Sequence, residues 1–512
     1  MEGRSGLTVL VGVLGARTTP LSRELAQARG VEHVDTDALL AERFGQPVAD
    51  VFAGAGEAAF RAAEEEVVLA VLGSGPPTRA AVVSLGGGAL GSERVREALR
   101  AHTVVLAEVD AATAWERCAG GGRPLARDRD AFGALLDERR PVYEAAADAF
   151  LPAADRGIAR RADAALRELA AAPPGTRMAW ARAASGEYPV FVGPGVLALR
   201  PPGTAGRGFV VTDEHVGALH LAALADPAGV VEMPAGEEHK SLATAERVWR
   251  ALVLQGATRA DHLVALGGGV VGDLAGFCAA TYQRGIPVVQ APTTVVAQVD
   301  SAYGGKTGVD LPEAKNFVGA YHQPAAVLAD TSTLATLPPE EHAGGYAEVV
   351  KTALIAGGPL WERIAAGAPV DEDVILACAR TKLAVVAADE RDGGRRQVLN
   401  LGHTVGHALE TVTGYGTLRH GEAVGLGMLA ALRLSGLSDL REQVAALLGA
   451  AGLPTSLAGV DPGEVVRATR RDKKRTSQER TPFVLVRAPG EVVEGQTVAD
   501  HDLALAVREL VR

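Results

Sequence analysis

The sequence predicts an α/β protein made of two successive α/β units followed by a helical one, and three observations predict it. Short apolar runs (LTVLVGV, AVVSLGGG, TVVLAEV) alternate with amphipathic stretches (SRELAQARG, EAAFRAAEEEVVLAVL) in the first third of the chain. That is the pattern of parallel strands joined by helical crossovers. After a break at AAPPGT the pattern restarts with YPVFVGPG, GFVVTDEHV, GVVEMPAG, HLVALGGGVVGD, PVVQAPTT and AAVLADT. From about residue 326 strand-like runs nearly vanish, and helical segments extend from EEHAGGYAEVVKTALI to DLALAVREL. The 512 residues suit about three units at roughly 100–200 residues each. No segment repeats with a fixed period.

Composition narrows the function classes. Hydrophobic residues at 47% and charged residues at 22% describe a folded globular chain, not a disordered one. Aromatics at 4% argue against a base-stacking platform. With 51 Lys+Arg against 62 Asp+Glu the net charge is −11, a poor balance for a nucleic-acid binder but compatible with local cationic pockets. Cys118, Cys278 and Cys378 lie far apart with no C-x-x-C, which suggests neither a disulfide framework nor a thiolate metal site. They fit a reducing cytoplasm. No apolar run approaches the roughly 20 residues of a membrane helix. The opening MEGRSGLTVLVGVLG reads as a strand entering a glycine turn, since a polar helical pattern follows without an A-x-A-like cleavage site. The expected partner is therefore a small molecule, not a nucleic acid or a membrane.

In the first unit, the strand LTVLVGV leads into Gly12-Val13-Leu14-Gly15-Ala16-Arg17-Thr18-Thr19. A phosphate-binding loop reads G-x-x-x-x-G-K-[ST] between a strand and a helix. Gly12 and Thr19 hold their positions, whereas Arg17 replaces the second glycine and Thr18 the lysine. The lysine neutralises phosphate charge, and the glycine lets backbone N–H groups wrap the phosphate. The loop thus has the shape of a phosphate cradle without its charge. The stretches HVDTDALLAERFG, GEAAFRAAEEEVV, VVSLGGGAL, GGRPLARD and ERRPVY resemble shikimate kinase in order and spacing, over about residues 7–170. The resemblance implies that Asp37, Arg61, Gly87, Gly88 and Arg139 contact shikimate. It also places Asp35 near a magnesium ion and Arg123 in a lid over the nucleotide. Three readings follow: an inactive kinase-like unit, which the degenerate loop favours; a weak kinase, making the chain bifunctional; or a regulatory binder of shikimate or nucleotide. Pro173, Pro174 and Gly175 cannot continue the Ala-rich helix before them, so a linker is expected at 172–176 after a first domain of 1–171.

In the second unit, HLVALGGGVVGDLAGF is a buried strand, a glycine turn and a helix start. Gly267, Gly268 and Gly269 let backbone approach a pyrophosphate at a helix N-terminus, and Asp273 is placed to accept from a ribose hydroxyl. Three glycines fit a tight βα turn equally well. In the third unit, Glu348 lies in GGYAEVVK, His403 and His407 share a helical face at i and i+4, and His420 follows in RHGEAVGLGM. Three ligands of His and carboxylate type with an open position make a catalytic zinc site. Spacing leaves open which of His403 and His407 is the ligand. The cations Lys306, Lys315, Lys351, Lys382, Arg396, Lys473 and Lys474 surround these segments in sequence. A solvated surface suits Lys473 and Lys474, but it suits Lys306, which follows Gly-Gly between apolar runs, poorly. Cations around a metal suit a substrate bearing a carboxylate and a phosphate.

Residues 177–512 resemble 3-dehydroquinate synthase through PAGEEHKS, LGGGVVGDLAGF, QRGIPVVQAPTTVVAQVDS, GGKTGVD, KNFVGAYHQP, GYAEVVK, KLAVVAADERDGG, LNLGHTVGHALE, RHGEAVGLGM and RDKK. The resemblance implies an α/β NAD-binding domain over 177–325 and a mostly helical metal- and substrate-binding domain over 326–512. It implies conversion of 3-deoxy-D-arabino-heptulosonate 7-phosphate into 3-dehydroquinate and phosphate in the shikimate pathway. The cofactors would be NAD and a divalent metal, zinc or alternatively cobalt, in a homodimer formed through the synthase part. Glu348, His403 and His420 would hold the metal. Asp213, Glu237, Lys240, Gly269, Val270, Val271, Gly272, Asp273, Thr293, Thr294, Asp300, Lys306, Lys315 and Thr336 would meet NAD. Arg284, Lys306, Asn316, Lys351, Lys382, Arg396, Asn400, His407 and Lys473 would surround the substrate. Ala302-Tyr303 and Ala314 depart from the family pattern without removing a ligand or a charge. The implied chemistry is a transient oxidation by NAD that acidifies a C–H bond, lets phosphate leave and is then reversed. Alternatives are another sugar-phosphate cyclase, a polyol dehydrogenase with net NADH production, and a scaffold. Lys382, the DERDGG run and Arg396 favour the carboxylate substrate of the shikimate pathway.

Overall fold

The computed structural model describes residues 6–48, 50–51, 56–73, 81–119, 128–153, 157–414, 417–470 and 482–511. Arg123, Lys473 and Lys474 lie outside the described residues. The chain forms two compact units, 1–180 with 189–202 and 181–188 with 203–512.

In the first unit, strands β1 (Thr8–Val11), β2 (Glu32–Asp35), β3 (Ala81–Ser84), β4 (Thr103–Glu108), β5 (Ala149–Pro152) and β6 (Arg177–Ala183) run in the order β2-β3-β1-β4-β5-β6. The pairing is parallel, with Val9 beside Val83 and Val104, and Ala149 beside Met178. β1 and β3 are wholly buried and read as continuous apolar runs. β2 (EHVD) is an edge strand with an exposed or half-exposed face, so it carries no apolar signal. β5 is only four residues long. Both were invisible to hydrophobic patterning for these reasons.

The expected linker is a turn, closed by Thr176 N donating to Pro173 O at 3.1 Å with Gly175 at φ +86°. It stops the helix Ile158–Ala171 but does not divide the compact units, because β6 pairs with β5 immediately afterwards and the division falls after Trp180.

In the second unit, β7 (Gly186–Gly193) contributes its first residues. It is followed by β8 (Gly208–Asp213), β9 (Gly229–Met233), β10 (His262–Gly267), β11 (Val288–Pro292), the hairpin β12 (Lys306–Leu311) and β13 (Ala314–Tyr321), and β14 (Ala326–Asp330). The parallel strands lie in the order β14-β11-β10-β8-β9. The order reverses between β8 and β10, so a crevice opens beyond their carboxyl ends, where α/β sheets bind ligands. Phe209, Val211, Leu263, Leu274 and Val288 pack the core beneath it. The α/β and helical segments, expected as two domains, belong to one compact unit. A hairpin of β15 (Phe483–Ala488) and β16 (Glu491–Gln496) also breaks the expected helical run.

The helices Pro339–Ala356, His403–Thr413 and His420–Leu434 cross at backbone contact. A Cβ on Gly421 would collide with Gly344 O, and one on Gly427 with Gly402 O. These glycines let three functional helices meet. Among the described residues no helix is long and apolar enough to cross a membrane.

Candidate active site

The crevice of the second unit begins where β8 ends. Asp213 caps the helix Glu214–His220, its Oδ1 accepting from His215 N at 3.0 Å and Val216 N at 2.9 Å. β10 ends at Gly267, and the helix Gly269–Thr281 starts at once with Gly268 as a cap that has no side chain to offer. Its first N–H groups therefore face the crevice with the positive end of the helix dipole. A Cβ on Gly268 would stand 3.0 Å from Thr294 Cγ2, and one on Gly269 3.0 Å from Ser301 Oγ. Gly269 and Gly272 bring no side chain to the helix start, while the Val271 side chain is buried in the core and Val270 packs against it. Thr293 is buried with its hydroxyl in no hydrogen bond among the described residues. Thr294 Oγ1 accepts from Ala297 N at 3.2 Å, and Thr336 Oγ1 meets His220 Nε2 at 2.9 Å.

Lys240 is buried among three carboxylates: Glu237 at 2.9 Å, Asp273 at 3.3 Å and Asp310 at 3.8 Å. Burial pushes the Asp273 carboxyl up to about 6, against the opposing pull of Lys240. Asp310 carried no signal in the sequence. It pins the β12–β13 hairpin, since its Oδ1 accepts from Asn316 N at 2.6 Å and its own N–H donates to Lys240 O at 2.7 Å. Asn316 is thereby held at φ +53°. Burial opposes ionisation of Glu237 and Glu410, but Lys240 for the first and His420 for the second, each helped by Lys315, hold their carboxyls below the ordinary value.

A second group lies on the crossing helices. Ligand atoms of Glu348, His403 and His420 fall within 4.8 Å of one another. His403 Nε2 is 3.7 Å and His420 Nε2 3.4 Å from Glu348 Oε1. Glu348 is fully buried, and neither carboxylate oxygen is satisfied by a hydrogen bond of good geometry. Burial favours the neutral acid, yet Lys351 and His420 hold Glu348 below its ordinary value. Burial likewise opposes protonation of His420, but Glu348 and Glu410 push its pKa up to about 9. Such a site attracts a cation and competes for it with protons. The geometry answers what spacing left open: His403 groups with Glu348, whereas His407 groups with Glu410 and His420.

Beside this group stand buried cations. Lys351 Nζ contacts Glu348 and lies 2.9 Å from Asp300 Oδ2, while Lys382 Nζ contacts Asp300 Oδ1 and donates to its carbonyl at 2.6 Å. Asp300 sits in a π-helical turn, Ala297–Ser301, which aims it between the two lysines. Burial opposes its ionisation, but the two ammonium groups hold it well below the carboxylate range. Arg396 is 2% exposed and donates to Glu390 O and, at 3.0 Å, to Gly304 O; its Nε has no partner among the described residues. Two of its donors are thus committed to backbone. Glu390, which the sequence singled out only as part of the DERDGG run, also receives Ser185 and Gln323. Asn400 closes the 3₁₀ turn Arg395–Asn400 leading into the His403 helix.

Two expected substrate residues are exposed. Lys306 is 47% exposed and pairs with Asp392 at 2.6 Å, an exposure that its glycine flank did not suggest. Arg284 is exposed at φ +74° on the turn after Gly269–Thr281.

In the first unit the five shikimate-like residues come together. Arg139 donates to Gly87 O at 2.9 Å, a Cβ on Gly88 would collide with Arg61, and one on Gly86 would stand 2.6 Å from Asp37 Oδ1. Arg61 pairs with the buried Glu64 at 2.6 Å. Asp35 caps the next helix by accepting from Asp37 N at 3.0 Å. Arg17 holds φ +59°, the left-handed conformation that favours the missing glycine, and its side chain is exposed. The loop keeps its backbone shape while having lost its lysine.

Family models for the N-terminal and C-terminal regions of 3-dehydroquinate synthase match residues 230–344 and 345–475, and a shikimate kinase model matches 15–170. A curated 3-dehydroquinate synthase from Halorhodospira halophila is 44% identical over 337 residues, spanning 62% of this chain and 95% of its own. One from Symbiobacterium thermophilum is 45% identical over 353 residues, spanning 64% of this chain and 98% of its own. The chain belongs to the 3-dehydroquinate synthase family. Similar solved structures are 2-deoxy-scyllo-inosose synthase complexed with carbaglucose-6-phosphate, NAD+ and Co2+, at 25% identity and TM-score 0.57 over 65% of this chain and 99% of that one. Another is 2-epi-5-epi-valiolone synthase from Streptomyces hygroscopicus subsp. jinggangensis 5008 with NAD+ and Zn2+ bound, at 26% identity and TM-score 0.58 over 63% and 96%. This dehydroquinate synthase family member thus carries a shikimate kinase-like unit ahead of its synthase part.

Proposed function

We propose that the chain converts 3-deoxy-D-arabino-heptulosonate 7-phosphate into 3-dehydroquinate and phosphate, using NAD and a divalent ion, Zn2+ or Co2+. The Glu348–His403–His420 group backed by the Lys351–Asp300–Lys382 chain carries this reading. Its buried, unsatisfied carboxylate and two imidazoles are a donor set suited to such an ion. The bare helix start at Gly269 and the buried Thr293 hydroxyl suit a dinucleotide. When bound, NAD supplies reversible hydride transfer and the ion supplies Lewis acidity.

The chain's own residues do the rest. Gly269 and its neighbours admit the pyrophosphate, and Asp273 receives a ribose hydroxyl. Lys351, Lys382 and Arg396 surround the substrate with positive charge at low dielectric, where it counts most. Asn316, Asn400, Arg284, Lys306 and Lys473 complete the substrate set. His407, outside the ion group, lies with Asn400 near the departing phosphate, which itself takes the proton. The active form is a homodimer through the synthase part, in the cytoplasm, where the three buried cysteines remain thiols. The kinase-like unit does not phosphorylate shikimate.

The test is incubation of the purified chain with the heptulosonate phosphate, NAD and Zn2+. Phosphate and dehydroquinate should appear in equal amounts with no net NADH. Accumulating NADH without phosphate would make it a dehydrogenase, and turnover of a sugar phosphate lacking the carboxylate would make it another cyclase.

A further inference from the structure

The geometry points to Glu410 as a positioning residue that turns His420 toward the ion of the Glu348–His403–His420 group, an inference resting on the metal-site reading above. His420 is approached along both ring nitrogens. Its Nε2 lies 3.4 Å from Glu348 Oε1, and its Nδ1 lies 3.5 Å from Glu410 Oε1. A neutral imidazole ligates through one nitrogen only when the other carries the proton. His403 meets this requirement by setting Nδ1 3.2 Å from Leu401 O, a pure acceptor, which leaves Nε2 toward Glu348. Glu410 does the same for His420, with a full negative charge in place of a carbonyl dipole.

Its placement supports the role. Glu410 is 5% exposed, although a carboxylate is costly to bury without a purpose. It lies seven residues after His403 on the same helix, so the two share a face. That helix meets the His420 helix at backbone contact, since a Cβ on Gly406 would stand 2.9 Å from Ala423 O. One helix thus supplies a ligand directly through His403 and orients a second through Glu410. Because His407, Glu410 and His420 also group within 4.8 Å, the rival role for Glu410 is that of ligand to a second ion.

The experiment compares the full chain with Glu410→Gln and Glu410→Ala, each stripped with a chelator and reloaded with Co2+ or Zn2+. Affinity is read by chelator competition, geometry by the Co2+ visible spectrum, and loading by ions per chain; circular dichroism of the stripped chains checks folding. The expectation is one ion per chain throughout, with affinity about 10-fold weaker in Glu410→Gln and up to about 100-fold weaker in Glu410→Ala. The Co2+ spectrum should shift in both. If Glu410→Ala does not fold, the isosteric Glu410→Gln decides alone. A parent chain that binds no ion overturns the metal-site reading itself. A parent that binds with both variants equal to it in affinity and spectrum overturns only the role of Glu410. Two ions in the parent and one in Glu410→Ala, with the remaining spectrum unchanged, would make Glu410 a ligand instead.

Discussion

Asp300 holds two buried lysines in place, and its removal is the sharpest single-residue test of the cation wall. Asp300→Asn leaves Lys382 inside the protein without its countercharge and Lys351 paired with Glu348. Breaking a buried ion pair from one side costs about 3–5 kcal/mol, so the denaturation midpoint of the chain should fall accordingly. The metal ligands predict a different pattern. Glu348→Ala, His403→Ala and His420→Ala should each strip the ion and abolish turnover, while His407→Ala should lose turnover and keep nearly full metal content by elemental analysis. An empty His407→Ala beside a fully loaded His420→Ala would contradict the grouping. The choice between His403 and His407 was not legible from an i, i+4 spacing, because both lie on one helical face. Glu348, on another helix, made the choice. Glu410 was legible in principle at i+7 from His403, but a buried Glu in HALE looks like any helical glutamate until His420 is seen against it.

At the scale of elements, the start of β1 depends on one side chain. His102 Nδ1 accepts from Leu7 N at 3.1 Å, and burial holds its pKa below 6.5. The folded state therefore keeps the ring neutral while the unfolded chain protonates near 6.5. Stability from this group is complete above that value and is lost as pH falls through the lowered folded pKa. Protection of the β1 amides in the full chain, corrected for the intrinsic exchange rate, should fall between pH 7 and 5 more than that of β11. His102→Ala leaves Leu7 N unsatisfied and should cost about 1–3 kcal/mol above pH 6.5, a difference that shrinks as pH falls because the variant lacks this pH slope. The helix crossing offers a second element-level test. Gly421→Ala places a methyl group against Gly344 O and should cost about 1–3 kcal/mol by overpacking. It should also weaken Co2+ binding, because His420 precedes it directly. Period-2 and period-3.6 patterns found the buried strands and the helices but missed β2 and the β12–β13 hairpin, which are short of apolar residues and bury few of their positions.

For the whole molecule, the kinase-like unit brings the residues expected to meet shikimate together beside a loop with Thr18 where lysine belongs. Losing a cation that acts on the transition state costs about 4 kcal/mol, or roughly a thousandfold in rate at about 1.36 kcal/mol per tenfold. The full chain with ATP, Mg2+ and shikimate should therefore give no shikimate 3-phosphate at the roughly 1–100 per second of ordinary kinases. Calorimetry should still detect shikimate binding, and Arg61→Ala or Arg139→Ala should abolish it. Since Arg17 already has a glycine-like backbone, Arg17→Gly with Thr18→Lys is sterically permitted and serves as the gain-of-function control. Ordinary kinase rates from the unmodified chain would refute this reading.

Periodicity and glycine turns, which are local, sufficed to establish from sequence alone two α/β units followed by a largely helical one; the kinase-like front and the synthase-like remainder came from the resemblance of ordered motifs. The same motifs extended that reading to the residues expected to meet NAD, metal and substrate. Only the tertiary structure decided that the α/β and helical segments form one compact unit, and that the break at Pro173 is a turn rather than a boundary between units. It likewise decided that Asp310, Glu390 and Glu410 belong beside the site and that Lys306 sits half exposed. The reason is physical. Whether a charge is buried, and which partner it meets, depends on groups tens or hundreds of residues away that only the packed chain brings within a few ångströms.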